Sequence, residues 1–138
     1  MPTDQRFVLD TNVVVSALLL KQSVSRQAFD RAFELGQVLL SWATISELND
    51  VLSREQFDKY VLEEERKKFL AAFVHEAVLV EVTETVTDCR DPKDNKFLEL
   101  AVSGNATCII SGDKDLLVLH PFRSIPVLSP KSFLNYSW

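Results

Sequence analysis

Short apolar runs alternate along this chain with longer amphipathic stretches, and that alternation constrains the fold more than any other feature. Arg6 to Leu9 is a compact apolar run that reads as a buried strand. Asn12 to Leu20 follows with helix-compatible spacing behind an Asp or Thr cap. Ser25 to Leu35 carries a helical stripe through Ala28, Phe29, Ala32 and Phe33, and Gly36 stops it. Val38 to Trp42 is the second strand expected, and Ser46 to Leu52 the helix after it. Leu62 to Ala77 puts Leu62, Phe69, Leu70, Phe73, Val74 and Ala77 on one face, with Glu63 to Lys68 on the wet side. Leu79 to Val82 is a third strand. Asp94 to Ser103 is a helix ended by Gly104-Asn105, and Thr107 to Ser111 a strand. Val127-Leu128 is the last strand, before a helix that opens at Ser129-Pro130. Strands that alternate with helices imply an α/β sheet of mainly parallel strands, covered by helices on both faces.

In such sheets ligands bind beyond the carboxyl ends of the strands, so the acids at those ends matter. Asp10 directly follows the Phe7-Val8-Leu9 run. Asp113 follows the Cys108-Ile109-Ile110 run after Ser111-Gly112. Glu47 is expected at the start of a helix behind the second strand, and Asp94 in the first turn of the helix that leads to the Asp113 strand. Each acid also has an ordinary structural use: Asp10 and Asp94 as caps, Glu47 as a first-turn acid, Asp113 as a turn residue. All of them falling on one sheet edge points instead to a shared pocket.

Carboxylates brought close together repel, so some take up protons or a cation sits among them. An all-oxygen donor set suits Mg²⁺ or Mn²⁺, and no His or Cys cluster favours zinc. Such ions lower the pKa of water and neutralise charge on a transferring phosphate, which is the chemistry of phosphodiester hydrolysis. Asp91 lies three residues before Asp94 and competes with it as a ligand; Asp115 lies two beyond Asp113 as a supporting acid. Spacing alone does not rank them. Asn12 is placed to hydrogen-bond a carboxylate or phosphate, and the Ser111 hydroxyl to hold water beside the ion. Arg90, Lys93, Lys96 and Lys114 surround the acids with positive charge suited to RNA phosphates, although a solvated charged loop is the more common explanation of such residues. Lys21, Arg26 and Arg31 form a weaker basic strip. His75 and His120 show no metal spacing, and the Phe-rich helices read as core.

Composition narrows the class. The chain has 138 residues, 46% of them hydrophobic and 25% charged, as expected of one globular domain over 1–138. No apolar run approaches the ~20 residues of a membrane span, and no basic leader precedes the apolar run Val13 to Leu20, so a signal peptide is not expected. Cys89 and Cys108 form no motif and read as free thiols of a cytoplasmic protein. The net charge of −5 argues by itself against binding nucleic acid, unless converging carboxylates are neutralised by cations.

These segments resemble a known family. Phe7-Val8-Leu9-Asp10-Thr11-Asn12 is similar to the opening of a PIN domain, and Ser46-Glu47-Leu48 to its second acidic motif. The stretch from Asp91 to Ala101 resembles the third motif, and the stretch from Ile110 to Leu117 the fourth. The last two are most similar to the prokaryotic subgroup of toxin components of toxin–antitoxin pairs. The resemblance spans nearly the whole chain. It implies the PIN three-layer α/β/α sandwich around a mainly parallel sheet. It also implies Mg²⁺- or Mn²⁺-dependent cleavage of RNA, with Asp10, Glu47, Asp94 and Asp113 as the catalytic and metal-binding acids. An antitoxin partner and a homodimer or higher homo-oligomer would go with it. Ser111 departs from the pattern, standing where Thr is common but keeping the hydroxyl.

Two other readings compete. A haloacid-dehalogenase-type phosphatase also sets an Asp after its first strand, but needs a second Asp two residues on; here that position is Asn12, which cannot donate a proton in that way. A catalytically silent PIN-fold binding module would not need all four acids.

Overall fold

The computed structural model describes residues 5–138. Five parallel strands form one sheet in the order β3-β2-β1-β4-β5. Along the chain the elements run β1 (Arg6–Leu9), α1 (Thr11–Leu19), α2 (Val24–Leu35), β2 (Gln37–Leu40) and α3 (Trp42–Leu52). They continue as α4 (Glu63–Glu76), β3 (Val78–Leu79), α5 (Asn95–Ser103), β4 (Cys108–Ile110), α6 (Lys114–Leu117), β5 (Val127–Leu128) and α7 (Pro130–Leu134). From β1 the chain builds outward through β2 and β3 on one side, then returns to place β4 and β5 on the other. The direction of winding therefore switches between β1 and β4, where open parallel sheets leave a crevice.

Strand side chains alternate faces, and each face has its own core. Phe7, Leu9, Val38, Leu40, Cys108 and Ile110 pack against α1, α2, α3, Phe73 of α4 and Phe133 of α7. Val8, Leu39, Ile109 and Val127 pack on the other face against α5 and Leu116 of α6. The α/β/α sandwich expected from the sequence is thus present. Phe29, Phe33, Phe69 and Phe73 stack as one group with neighbouring ring centroids 5.3–6.2 Å apart. They tie α2 to α4, as their assignment to core required.

Several boundaries differ from the sequence expectation, each for a local reason. The second strand ends at Leu40, not Trp42, because Ser41 is the N-cap of α3: its hydroxyl accepts from Thr44 N–H, and the Thr44 hydroxyl accepts from Ser41 N–H. That capping box starts α3 at Trp42 rather than Ser46, so Glu47 lies in the second turn and not at the helix start. The third strand is Val78–Leu79, shorter and earlier than 79–82. The four-residue helix α6 fills a stretch left unassigned. Gly36 does end α2, but its backbone is extended (φ −178°). A Cβ there would lie 2.2 Å from the Gln5 carbonyl oxygen, so close backbone approach is what requires glycine. At the end of α5 it is Asn105, φ 53°, and not Gly104 that takes the left-handed turn.

The helix α4 departs most from its predicted stripe. Leu62 is its N-cap and 64% exposed, and Val74 is 38% exposed. Arg66, placed on the wet side by periodicity, is only 2% exposed. Its guanidinium donates to the carbonyls of Leu52 (2.7 Å) and Val61 (2.5 Å) and to Asp58 (2.8 Å). It thereby fastens the end of α3 and the loop after it to α4. Both cysteines are free and buried, and burial pushes the Cys108 thiol up to about 12. Among the described residues, no helix is long and apolar enough to cross a membrane.

Candidate active site

A cleft of about 660 Å³ opens at the carboxyl end of the sheet where the winding switches, and Asp10, Glu47, Asp94 and Asp113 all line it. The four come from four separate segments: the end of β1, the second turn of α3, the N-cap of α5, and the turn after β4.

Asp10 is 3% exposed and serves as the N-cap of α1. One carboxylate oxygen accepts from Val13 N–H at 2.8 Å and the other from the Ser111 hydroxyl in a short hydrogen bond. Its own N–H donates to the Ile110 carbonyl (3.0 Å), which locks it to the neighbouring strand. Burial pushes its carboxyl above the ordinary value, against the lowering effect of the Ser111 and Val13 donors, and Asp113 adds to the rise. Cap and site are therefore one residue: the capping use and the pocket use foreseen as alternatives coexist.

Ser111 is fully buried and does not line the cleft, contrary to the expected water-holding role. It bridges instead, donating to Asp10 and accepting from Asp113 N–H at 2.9 Å. Asp113 caps α6, its carboxylate accepting from Asp115 N–H at 2.9 Å. Asp115 lies outside the cleft and meets Asp113 only through that backbone N–H. Asp91 lines the cleft and caps the short 3₁₀ turn Pro92–Asp94 through Lys93 N–H (3.1 Å).

Asp94 is different from the rest. It stands at the N-cap position of α5 but makes no capping bond, and its Oδ2 is buried with no hydrogen-bond partner. Burial, then the neighbouring Asp113, push its carboxyl up from 3.8 to about 7. A buried acceptor without a donor is costly and is the mark of a group whose partner arrives from solution.

Glu47 is held from two sides. The Lys96 ammonium lies 2.6 Å from Oε1, and the Thr11 hydroxyl donates to Oε2 in a short hydrogen bond. Of the expected cations, Lys93 and Lys96 line the cleft, whereas Arg90 and Lys114 do not; Asn12 lines it and is exposed. Asp50 and Arg54 also line it and were missed. Asp50 lies three residues beyond Glu47 on α3, and that spacing is the signal that would have found it; Arg54 lies past the end of α3 and carried no helical signal. Thr11 carried no such signal.

The donor set is entirely oxygen, and Asp94 supplies a bare buried acceptor, so the residues fit a hard divalent cation. With Lys96 on Glu47 and Ser111 on Asp10, no three acids among the described residues stand as a ready-made ligand group.

Residues 6–115 match the PIN domain family, and the chain belongs to it. An uncharacterized protein of Methanocaldococcus jannaschii is 33% identical, over 94% of this chain and 90% of its own. Among solved structures, VapBC2 from Rickettsia felis, bound to a DNA fragment from their promoter, superposes with a TM-score of 0.62. The pair share 12% identity, over 91% of this chain and 98% of that one. VapBC-1 from nontypeable Haemophilus influenzae gives a TM-score of 0.61 at 13% identity, over 92% and 99%. At those identities the likeness is one of fold. Family membership displaces the phosphatase alternative and accords with Asn12, which lacks an acid's proton.

Proposed function

We propose that this PIN domain is a metal-dependent endoribonuclease, the toxin component of a cytoplasmic toxin–antitoxin pair, acting as a homodimer or higher homo-oligomer. The observation that carries the catalytic part is the lining of one cleft by Asp10, Glu47, Asp94 and Asp113 from four separate segments. The antitoxin partner rests on the fold likeness to VapBC2 and VapBC-1.

Asp10, Glu47, Asp94 and Asp113 would hold Mg²⁺ or Mn²⁺. Such a cation supplies Lewis acidity at the scissile phosphate and lowers the pKa of the attacking water. The protein's own groups do the rest. Asp10, locked by Ser111 and Val13, keeps its carboxylate in one orientation, as a preorganised site demands. Asp94, whose Oδ2 is buried without a donor and whose carboxyl is raised to about 7 by burial and Asp113, would give up its proton when the cation binds. Lys93, Lys96 and Arg54 line the cleft and offset the acids toward an RNA phosphate. When Lys96 leaves Glu47, one movement frees a carboxylate for the cation and an ammonium for the phosphate.

The test is incubation of the purified protein with mixed RNA and DNA in Mn²⁺, in Mg²⁺ and in chelator, beside Asp10→Asn. We expect RNA cleavage that needs both metal and Asp10, with the variant still folded. Equal cleavage by Asp10→Asn would remove the site assignment. Absence of cleavage from folded protein with metal bound would favour a binding role.

A further inference from the structure

We infer that the groove between α3 and α4 is a binding site for an unpaired base of the substrate strand, with the Trp42 indole as its stacking platform. The inference rests on the nuclease reading for the identity of the strand, and on separate observations for the site. Trp42 is the first residue of α3 and is 72% exposed. An indole left this far in water calls for a use, because aromatic rings otherwise bury most of their surface.

Trp42 borders two grooves, and charge distinguishes them. The groove toward β3 is lined by Glu81 and Glu99 as well as Lys96, so it repels phosphate. The groove toward α4, about 870 Å³, has no carboxylate among its lining residues. It offers instead the Lys67 ammonium, the Asn49 amide and the His75 imidazole over a floor that includes Ile45 and Leu70. Lys67 pairs with Glu63 at 3.1 Å and His75 approaches Glu76 at 3.8 Å, all of these side chains being exposed. The exposed Lys67–Glu63 pair is weak and exchanges readily for a phosphate. In a chain of net charge −5, a groove with no carboxylate in its lining is the less repulsive of the two for a polyanion.

The groove also leads to the chemistry. Ser46 lines both it and the acidic cleft. Trp42, Ser46 and Asn49 fall at helix positions i, i+4 and i+7, hence on one face of α3, while Glu47 and Asp50 turn toward the cleft. Ser46 lies one helical turn, roughly 6 Å, from Trp42. A strand whose phosphate is held in the acidic cleft through the cation proposed there can therefore pass over Ser46 and lay a neighbouring base on the indole. Every base has a π-face, so such a platform is tolerant of sequence but demands that the base be unpaired. Single-stranded RNA is the substrate this selects.

The probe is a short oligoadenylate, alone or annealed to oligouridylate, titrated in chelator so that binding is read without cleavage. The other tryptophan, Trp138, is packed against Phe133 and Tyr136, so its emission serves as the internal reference. We expect the unpaired strand to quench Trp42 and the duplex not to. We expect Trp42→Ala to weaken binding by about 5- to 150-fold, the range for one base–aromatic stack, and Trp42→Phe to keep most of it. With Mn²⁺ present, the loss should fall on KM rather than kcat. Unchanged affinity of Trp42→Ala for the unpaired strand would overturn the inference, and so would equal quenching by the duplex. If Trp42→Ala turned a dimer into monomers with strand affinity unchanged, the face would instead join two copies, and the inference would fail. Quenching without any cleavage would leave the base site standing and remove the nuclease reading. Cleavage indifferent to Trp42 would do the reverse.

Discussion

Two ionisable side chains, buried Arg66 and half-buried Asp94, have polar atoms closed to water, and they are treated in opposite ways. The Arg66 guanidinium is surrounded by two carbonyls and a carboxylate. Asp94 Oδ2 is as closed to water as a core atom, yet nothing donates to it. Both placements cost desolvation. At Arg66 the cost is offset within the fold, so the residue is structural. At Asp94 it is left open and appears as a carboxyl titrating near 7. Completeness of partners, more than burial itself, separates a charge that holds the chain together from one that waits for a ligand.

The sharpest way to separate the two regions is by activity. Asp113→Asn should lower metal-dependent RNA cleavage on the order of 10²- to 10³-fold, the usual effect of removing one preorganised electrostatic group. Its thermal midpoint should stay close to that of the native chain. Arg66→Met should keep cleavage per folded molecule but lose stability in urea unfolding. Each carbonyl it orphans costs roughly 1–3 kcal/mol. A Met variant as stable as the native protein would break the comparison from the structural side.

Ligand linkage gives the next effect. Mn²⁺ at a hundred times its Kd should stabilise the native protein by ~2.7 kcal/mol, read as a raised melting temperature. Asp94→Asn should lose most of that gain, and Arg66→Met none of it.

The smallest effect is on pH. The Asp94 carboxyl is raised in the folded state, from 3.8 to about 7, so between those values the folded protein binds more protons than the unfolded one. Stability should then fall as pH rises through that window and level off above it. Asp94→Asn should flatten this part of the curve and be the more stable chain above pH 7. Unfolding followed across that range checks the sign, and a slope undiminished in Asp94→Asn would assign it to another group such as Asp10, whose carboxyl burial also raises.

How much of this was legible in the sequence depends on whether the signal was local. Hydrophobic period and the acids after apolar runs were local, so the alternation of elements and the cleft acids Asp10, Glu47, Asp94 and Asp113 could be read before any coordinates. The start of α3 was misplaced because Ser41 and Thr44 form a capping box inside what looked like a continuous apolar run, and a cap outweighs propensity at a helix end. Arg66 was read as solvated because periodicity assigns a face to a side chain but cannot see carbonyls that arrive from Leu52 and Val61. Ser111 was set toward the ligand when its hydroxyl turns inward to hold Asp10. The contrast between a satisfied and an unsatisfied charge is wholly tertiary, and no spacing rule encodes it.

The most direct test of that contrast is calorimetric titration of Mn²⁺ into the native protein and into Asp94→Asn, at pH 6 and pH 8, in buffers of different ionisation enthalpy. Asp94 carries its proton below about 7, so binding should release protons at pH 6 and few at pH 8, and the variant should bind weakly and release fewer protons at pH 6, those left coming from Asp10, whose carboxyl burial also raises. Equal Mn²⁺ affinity and equal proton release in the two proteins would contradict the account, since Asp94 would then not be the group that waits for the cation.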